Sequence, residues 1–167
     1  MISVTIPIKL VSEANKASHE HWRARHRRAK CQKAAVAFVL NCHRRPKMPC
    51  VVSLTRVAPR GLDGDNYVGC FKAVRDAIAT WNGVDDKDLG YFWNYLPAER
   101  GKPSEYAVRI EIRSVSLLEL NELRAQERAL QRALAGAGAL VERGAGSRGA
   151  RTKTSVKARG GRAGAES

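Results

Sequence analysis

The sequence predicts an α/β fold: a small mixed β-sheet with helices packed on it, then a C-terminal helix and a basic tail. Three observations carry that prediction. Ile2, Val4 and Ile6 alternate with polar residues, and so do Tyr106, Val108, Ile110 and Ile112, which is the two-residue period of half-buried strands. Val68, Phe71, Val74, Ala77 and Ile78 recur at three and four residues, the period of a helix with one apolar face. A chain of 167 residues is long enough for one domain with a hydrophobic core and extensions, and short for two. We expect a domain over 1–115, a helix over 116–141 and a tail over 142–167.

The elements follow in order. Residues 2–8 form the first strand. From Ser18 to Cys42 the pattern is helical, with His19, Trp22, His26, Ala29, Lys33 and Val36 at helical spacing. The N-terminal half of this helix is polybasic and its C-terminal half, Ala34 to Leu40, is apolar, so one end can be anchored while the other meets phosphate. Pro46 and Pro49 end the helix, and the β-branched run Cys50 to Val57 reads as a strand. A helix is expected from Asn66 to Trp81, capped by Asp65 or Asn66 and ended by Gly83. Asp88 to Leu96 and Glu105 to Val115 read as a hairpin across the turn-rich stretch Ala98 to Ser104. Leu117 to Val141 is a third helix, whose Leu120, Leu123, Leu130 and Leu134 serve either a partner or dimer surface or packing on its own sheet. Beyond it the chain is nearly all Gly, Ala, Ser, Thr, Arg and Lys. Such a composition buries too little apolar surface to offset chain entropy, so a disordered basic tail is expected.

Charge narrows the function. Thirty basic against 16 acidic side chains leave a formal +14, which favours polyanionic partners through counterion release, with nucleic acid first among them. No apolar run approaches the roughly 18 residues a membrane span needs, and no signal peptide is evident. Cys31, Cys42, Cys50 and Cys70 lack metal-ligand or disulfide spacing and read as reduced, cytosolic thiols filling apolar space. Trp22 and Trp81 read as core or interface anchors. Tyr91, Phe92 and Trp93 are assigned to the core ahead of stacking on unpaired bases.

The chemistry is concentrated between Leu62 and Asp88, which hold six of the 16 acids: Asp63, Asp65, Asp76, Asp85, Asp86 and Asp88. Clustered carboxylates repel one another unless a cation joins them, and hard oxygen ligands suit Mg²⁺ or Mn²⁺. The competing reading makes Asp63, Asp65 and Asn66 a turn and N-cap, and Asp85, Asp86 and Asp88 a solvated turn. A helix of about sixteen residues is roughly 24 Å long and would hold the two acidic loops apart. They meet only if that helix starts late, if the chain after Trp81 doubles back, or if a dimer brings one loop across.

The order of parts resembles the RusA-like Holliday-junction resolvases. It runs strand, loop with Asn15, basic helix, strand, Asp63-Gly64-Asp65-Asn66, a helix bearing Phe71-Lys72-Ala73-Val74-Arg75-Asp76, then Asn82-Gly83-Val84-Asp85-Asp86. The match spans roughly residues 2 to 113. It implies a homodimer that binds Mg²⁺, or Mn²⁺, through Asp63, Asp65 and Asp86, with Lys72 as the active-site lysine and Asn66, Asp76 and Asp85 in supporting roles. Lys72 stands about one helical turn farther from Asp65 than the family pattern has it.

The function expected from this resemblance is Mg²⁺-dependent, paired symmetric nicking of four-way DNA junctions in recombination and repair, in the cytoplasm of a bacterial or phage-infected cell, near the nucleoid. Arg23, Arg25, Arg27, Arg28, Lys30 and Lys33 would contact the DNA backbone. Arg75 reads as a phosphate contact or a surface charge, and the histidines His19, His21, His26 and His43 as phosphate contacts or packing. Two other readings stay open: a DNA-binding protein without catalysis, and a flap or single-strand phosphodiesterase.

Overall fold

The computed structural model describes residues 1–11 and 21–145, the last ten of these by backbone only. Asn15, His19, the first residues of the expected basic helix and all of the expected tail beyond residue 145 lie outside the described residues. The elements are β1 (Ile2–Ile6), α1 (Trp22–Leu40), β2 (Cys50–Ala58), α2 (Gly64–Gly69), α3 (Lys72–Asn82), β3 (Tyr91–Tyr95), β4 (Glu99–Arg100), β5 (Ala107–Ser114) and α4 (Leu117–Ala145). The fold is thus mixed α/β with a small mixed sheet, as the two periodicities predicted.

The sheet runs β1-β5-β2-β3, with β4 also on β2. β2 lies inside it, antiparallel to β5 and parallel to β3. Seven of its nine residues are buried and the other two half-buried, the pattern of a strand covered on both faces rather than one. The expected hairpin between 88–96 and 105–115 does not form. β3 and β5 are separated by β2, and the two-residue β4 pairs with Val57 and Ala58 where a reversing turn was expected. The reason is connectivity. The stretch α2-α3 is long enough to cross the sheet, so β3 returns parallel to β2 and takes its outer side, leaving the inner side to β5.

The helix expected over 66–81 is two helices. Cys70 and Phe71 form a turn between α2 and α3, with Phe71 at φ −86°, ψ −1°. Gly69 weakens the first helix at its end. The turn inserts Phe71 wholly into the core, edge-on to Tyr67 at 5.2 Å and 5.6 Å from Tyr95. α3 then buries Ala73, Val74, Ala77, Ile78 and Trp81, and ends as predicted at Gly83, whose φ of 77° is the left-handed cap that favours glycine.

α1 buries only Gln32, Val36 and Leu40. Gln32 is anchored by a 2.8 Å hydrogen bond from its amide nitrogen to the Lys9 carbonyl. Trp22, expected as an anchor, is 65 % exposed at the start of α1, whereas Trp81 joins the core. The expectation of apolar filling holds for the buried Cys50 and Cys70; Cys31 and Cys42 are exposed on or just after α1.

The described residues divide into two units, one ending at Gln126 and the other beginning at Glu127, the boundary falling within α4. In the first unit Leu120 is buried and Arg124 donates hydrogen bonds to the carbonyls of Leu89 and Tyr91. In the second, Leu130 and Leu134 are exposed. Among the described residues no helix is long and apolar enough to cross a membrane.

Two measurements check this architecture. Phe71→Ala empties the turn between α2 and α3 and should lower unfolding stability by about 3–5 kcal/mol in urea titration. Burial pushes the Cys50 and Cys70 thiols up to about 11 and about 12. At pH 8 their thiolate fraction is then on the order of one in a thousand or less, so iodoacetamide should label only Cys31 and Cys42 until the protein is unfolded.

Candidate functional site

The chemistry gathers where α1 lies against α3. Along α3 the residues Lys72, Asp76 and Thr80 follow one another at helical i, i+4 spacing, and α1 brings Arg25, His26 and Lys33 opposite them. Lys33 Nζ lies 2.8 Å from Asp76 Oδ2. On one side of that pair is a cationic cleft lined by Arg25, His26, Lys33 and Lys72, with Asp76 its one carboxylate among the described residues. On the other is a carboxylate-lined cleft with Asp76, Asp85 and Asp86, to which Thr80 and Gly83 also contribute. The Lys33–Asp76 pair is the wall the two clefts share.

Asp86 is held on two sides. Its Oδ2 accepts a hydrogen bond from Arg75 at 3.0 Å, and its carbonyl accepts one from Trp93 Nε1 at 3.0 Å. The Arg75 guanidinium lies 4.9 Å from the centre of the Trp93 ring, which itself stacks on Tyr91 at 4.8 Å. Burial pushes the nearby Tyr95 hydroxyl above its ordinary range, while Arg75 opposes that shift by charge and by a hydrogen bond. Arg75, assigned from sequence to phosphate or to the surface, is therefore engaged inside the protein. No sequence signal shows this, because the pair is set by how residues 83–90 return along α3.

That return answers part of the geometric objection. Parallel pairing of β2 and β3 sets the loop after one strand and the loop before the other at opposite strand ends. The chain after Trp81 nevertheless doubles back until Asp86 rests beside Arg75, one turn from the start of α3. The principal helix also starts late, at Lys72.

The acidic residues divide accordingly. Asp85 Oδ1 accepts from the Lys87 amide at 2.8 Å and Asp88 Oδ1 from the Gly90 amide at 2.7 Å, so these two do serve a turn. Asp86 does not. At the other loop the cap position of α2 falls on Asp63, not on Asp65 or Asn66, and the Asp63 carboxylate makes no capping hydrogen bond. Asp65 stands in the first turn of α2, where a negative charge suits the helix dipole, and both aspartates are exposed.

Aspartate oxygens are the right chemistry for Mg²⁺. Among the described residues no three His, Cys, Asp or Glu side chains come together as a group that could hold a metal, so Asp63, Asp65 and Asp86 are not gathered into one. Asp76 and Asp86 instead carry Lys33 and Arg75 as their cations.

The basic residues of α1 separate in the same way. Arg25 and Lys33 reach the cationic cleft, joined by His26, which the sequence had assigned to phosphate contact or packing. Lys30 lines a neighbouring groove with Lys33 and Arg45. Arg23 lies over the Trp22 ring at 5.4 Å, Arg27 is exposed and Arg28 half-buried. His21 caps α1, its Nδ1 accepting from the Arg23 amide at 3.2 Å. No family model matches the chain, and none of the curated proteins compared with it does either.

The Arg75–Asp86 contact is open to a double-mutant cycle. Arg75→Met and Asp86→Asn should each destabilise the fold modestly, and their coupling should be about 0.5–1 kcal/mol for a partly exposed pair, read from urea midpoints. Additive effects would show that the contact does not hold the loop.

Proposed function

We propose that this protein is a structure-selective endonuclease that resolves four-way DNA junctions by paired nicks, working as a homodimer with Mg²⁺ or Mn²⁺. The observation that carries the reading is the shared wall between a cationic cleft and a carboxylate-lined one. A phosphodiester backbone attracted by Arg25, His26, Lys33 and Lys72 would lie next to Asp76, Asp85 and Asp86. Clefts of opposite charge side by side suit a phosphodiesterase better than a protein that only grips DNA, for which neighbouring carboxylates are repulsive. The resemblance to RusA-like resolvases supports the same reading and supplies the branched substrate. A two-fold dimer would present one site to each of two opposed strands.

The residues assigned to the reaction are Asp63, Asp65 and Asp86 as ligands of the divalent cation and Lys72 as a cation facing the phosphate. Since these aspartates do not form a metal-holding group within one chain, the reading requires them to be drawn together when DNA, metal or a second subunit is bound. A specific observation favours the second reading, a DNA-binding protein without catalysis: Asp76 and Asp86 already carry internal cations.

One experiment separates them. A labelled mobile four-way junction, a matched duplex and a flap are incubated with wild type and Asp65→Asn, in Mg²⁺ or in EDTA. Symmetric nicking of the junction alone, dependent on Mg²⁺ and reduced at least a hundredfold by the substitution, is expected on the order of a lost metal ligand. Junction binding with no cleavage by the wild type in Mg²⁺ would establish the second reading. Equal cutting of the flap would make the protein a different phosphodiesterase.

A further inference from the structure

We infer that the cleft between α1 and α3 is a binding site for one phosphate group of the DNA backbone, and that Lys33 is shared between this phosphate and Asp76. The inference rests on the nucleic-acid reading above and goes beyond it by confining the contact to one phosphate at the start of α3 and naming the ion pair that restrains it.

Three observations converge. First, Arg25, His26, Lys33 and Lys72 come to one cleft from two helices, with Asp76 the only acid among its described walls. Second, Lys72 and Ala73, the first turn of the eleven-residue α3, line the same cleft, and the cap residue Phe71 makes no side-chain capping bond. The backbone N–H groups of that turn have no helical acceptor, and the helix dipole adds positive potential there. Third, Lys33 borders both this cleft and the carboxylate-lined one, and its partner is Asp76 at 2.8 Å.

A single oxyanion satisfies the first two features together: several converging cations and a helix start. The third makes Asp76 a competitor for one of those cations. The pair is partly exposed, with side chains 46 % and 28 % accessible, so it is weak enough for a phosphate to draw Lys33 away. When Lys33 turns to the phosphate, Asp76 loses its counter-charge on the side facing Asp85 and Asp86. Backbone engagement in one cleft thus leaves the neighbouring cleft more acidic, and more receptive to a cation.

Junction binding in EDTA tests this without any cleavage step. At fixed salt, Arg25→Gln and Lys72→Gln should each weaken binding, and across a salt series each should lower the log–log slope by about one. Asp76→Asn should tighten binding roughly three- to fivefold, the reach of a partly exposed ion pair. In the Lys33→Met background the same substitution should give a smaller gain, and that difference is the shared lysine. Thermal melts confirm that each variant folds. Wild-type affinity and slope in both cleft variants, or an equal Asp76→Asn gain with and without Lys33, would overturn the inference, while the nuclease reading stands or falls separately on whether the wild type cleaves the junction in Mg²⁺. A wild type that binds no junction overturns the nucleic-acid reading itself. A nucleoside triphosphate titrated alone covers the other source of phosphate: saturable binding lost in Lys72→Gln, without junction binding, would assign the cleft to free nucleotide and overturn the backbone assignment.

Discussion

The seating of α1 on α3 is the constraint on which the site depends. α1 brings most of its charge to the surface and only a narrow stripe to the interior, where Val36 and Leu40 are fully covered and Gln32 is tied to Lys9 by its amide. A helix so basic at its N-terminal half gains little from its own sequence: no acid lies in its first turn and its cap is a histidine. Its position is therefore decided by packing at the C-terminal end, as expected when tertiary contacts rather than propensity stabilise a helix. The cationic end is carried along by that anchor, which brings Arg25, His26 and Lys33 over the start of α3.

Much of this was legible in the sequence, and the limits of legibility have physical causes. Period-two and period-three-four patterns located β1, β5 and the apolar face of α3 because burial on one side leaves a repeating trace, whereas β2, buried on both faces, was legible from its β-branched run. The break at Cys70 and Phe71 left none, since Phe71 continues the apolar spacing that a single helix would show, and only the tertiary demand to bury it turns the chain. The pairing of β3 was unreadable for a different reason. Aromatic residues from Tyr91 to Tyr95 announce a strand but not its neighbour, and an antiparallel hairpin with the next strand is the default when the connection seems short. The residues of the site were found largely as residue types, and their relations were not. Lys33, Asp76 and Asp86 could be named from sequence, whereas the ion pairs that join Lys33 to Asp76 and Arg75 to Asp86 depend on the direction of a loop.

Those ion pairs show how a strongly basic chain keeps acids close together. Of the clustered carboxylates, Asp85 and Asp88 accept backbone amides in a turn, and Asp76 and Asp86 face a lysine and an arginine. For these four the repulsion is met within the protein. Arg75 is suited to this: its planar guanidinium lies on Trp93 while its nitrogen reaches the carboxylate, so stacking and charge act through one side chain. Lys33 is the looser of the two, more exposed and without a ring beneath it in the contacts described.

Gly83 has a consequence beyond ending a helix. Its left-handed backbone sends the chain back along α3, and a Cβ there would meet nothing nearer than Arg45 at 3.8 Å, so the constraint is torsional rather than steric. The place of a carboxylate three residues later is thus written in a residue with no side chain to inspect. Drift at that position would look, in a catalogue of variants, like damage to a scaffold, yet the first property to change would be the aim of the acid beyond it.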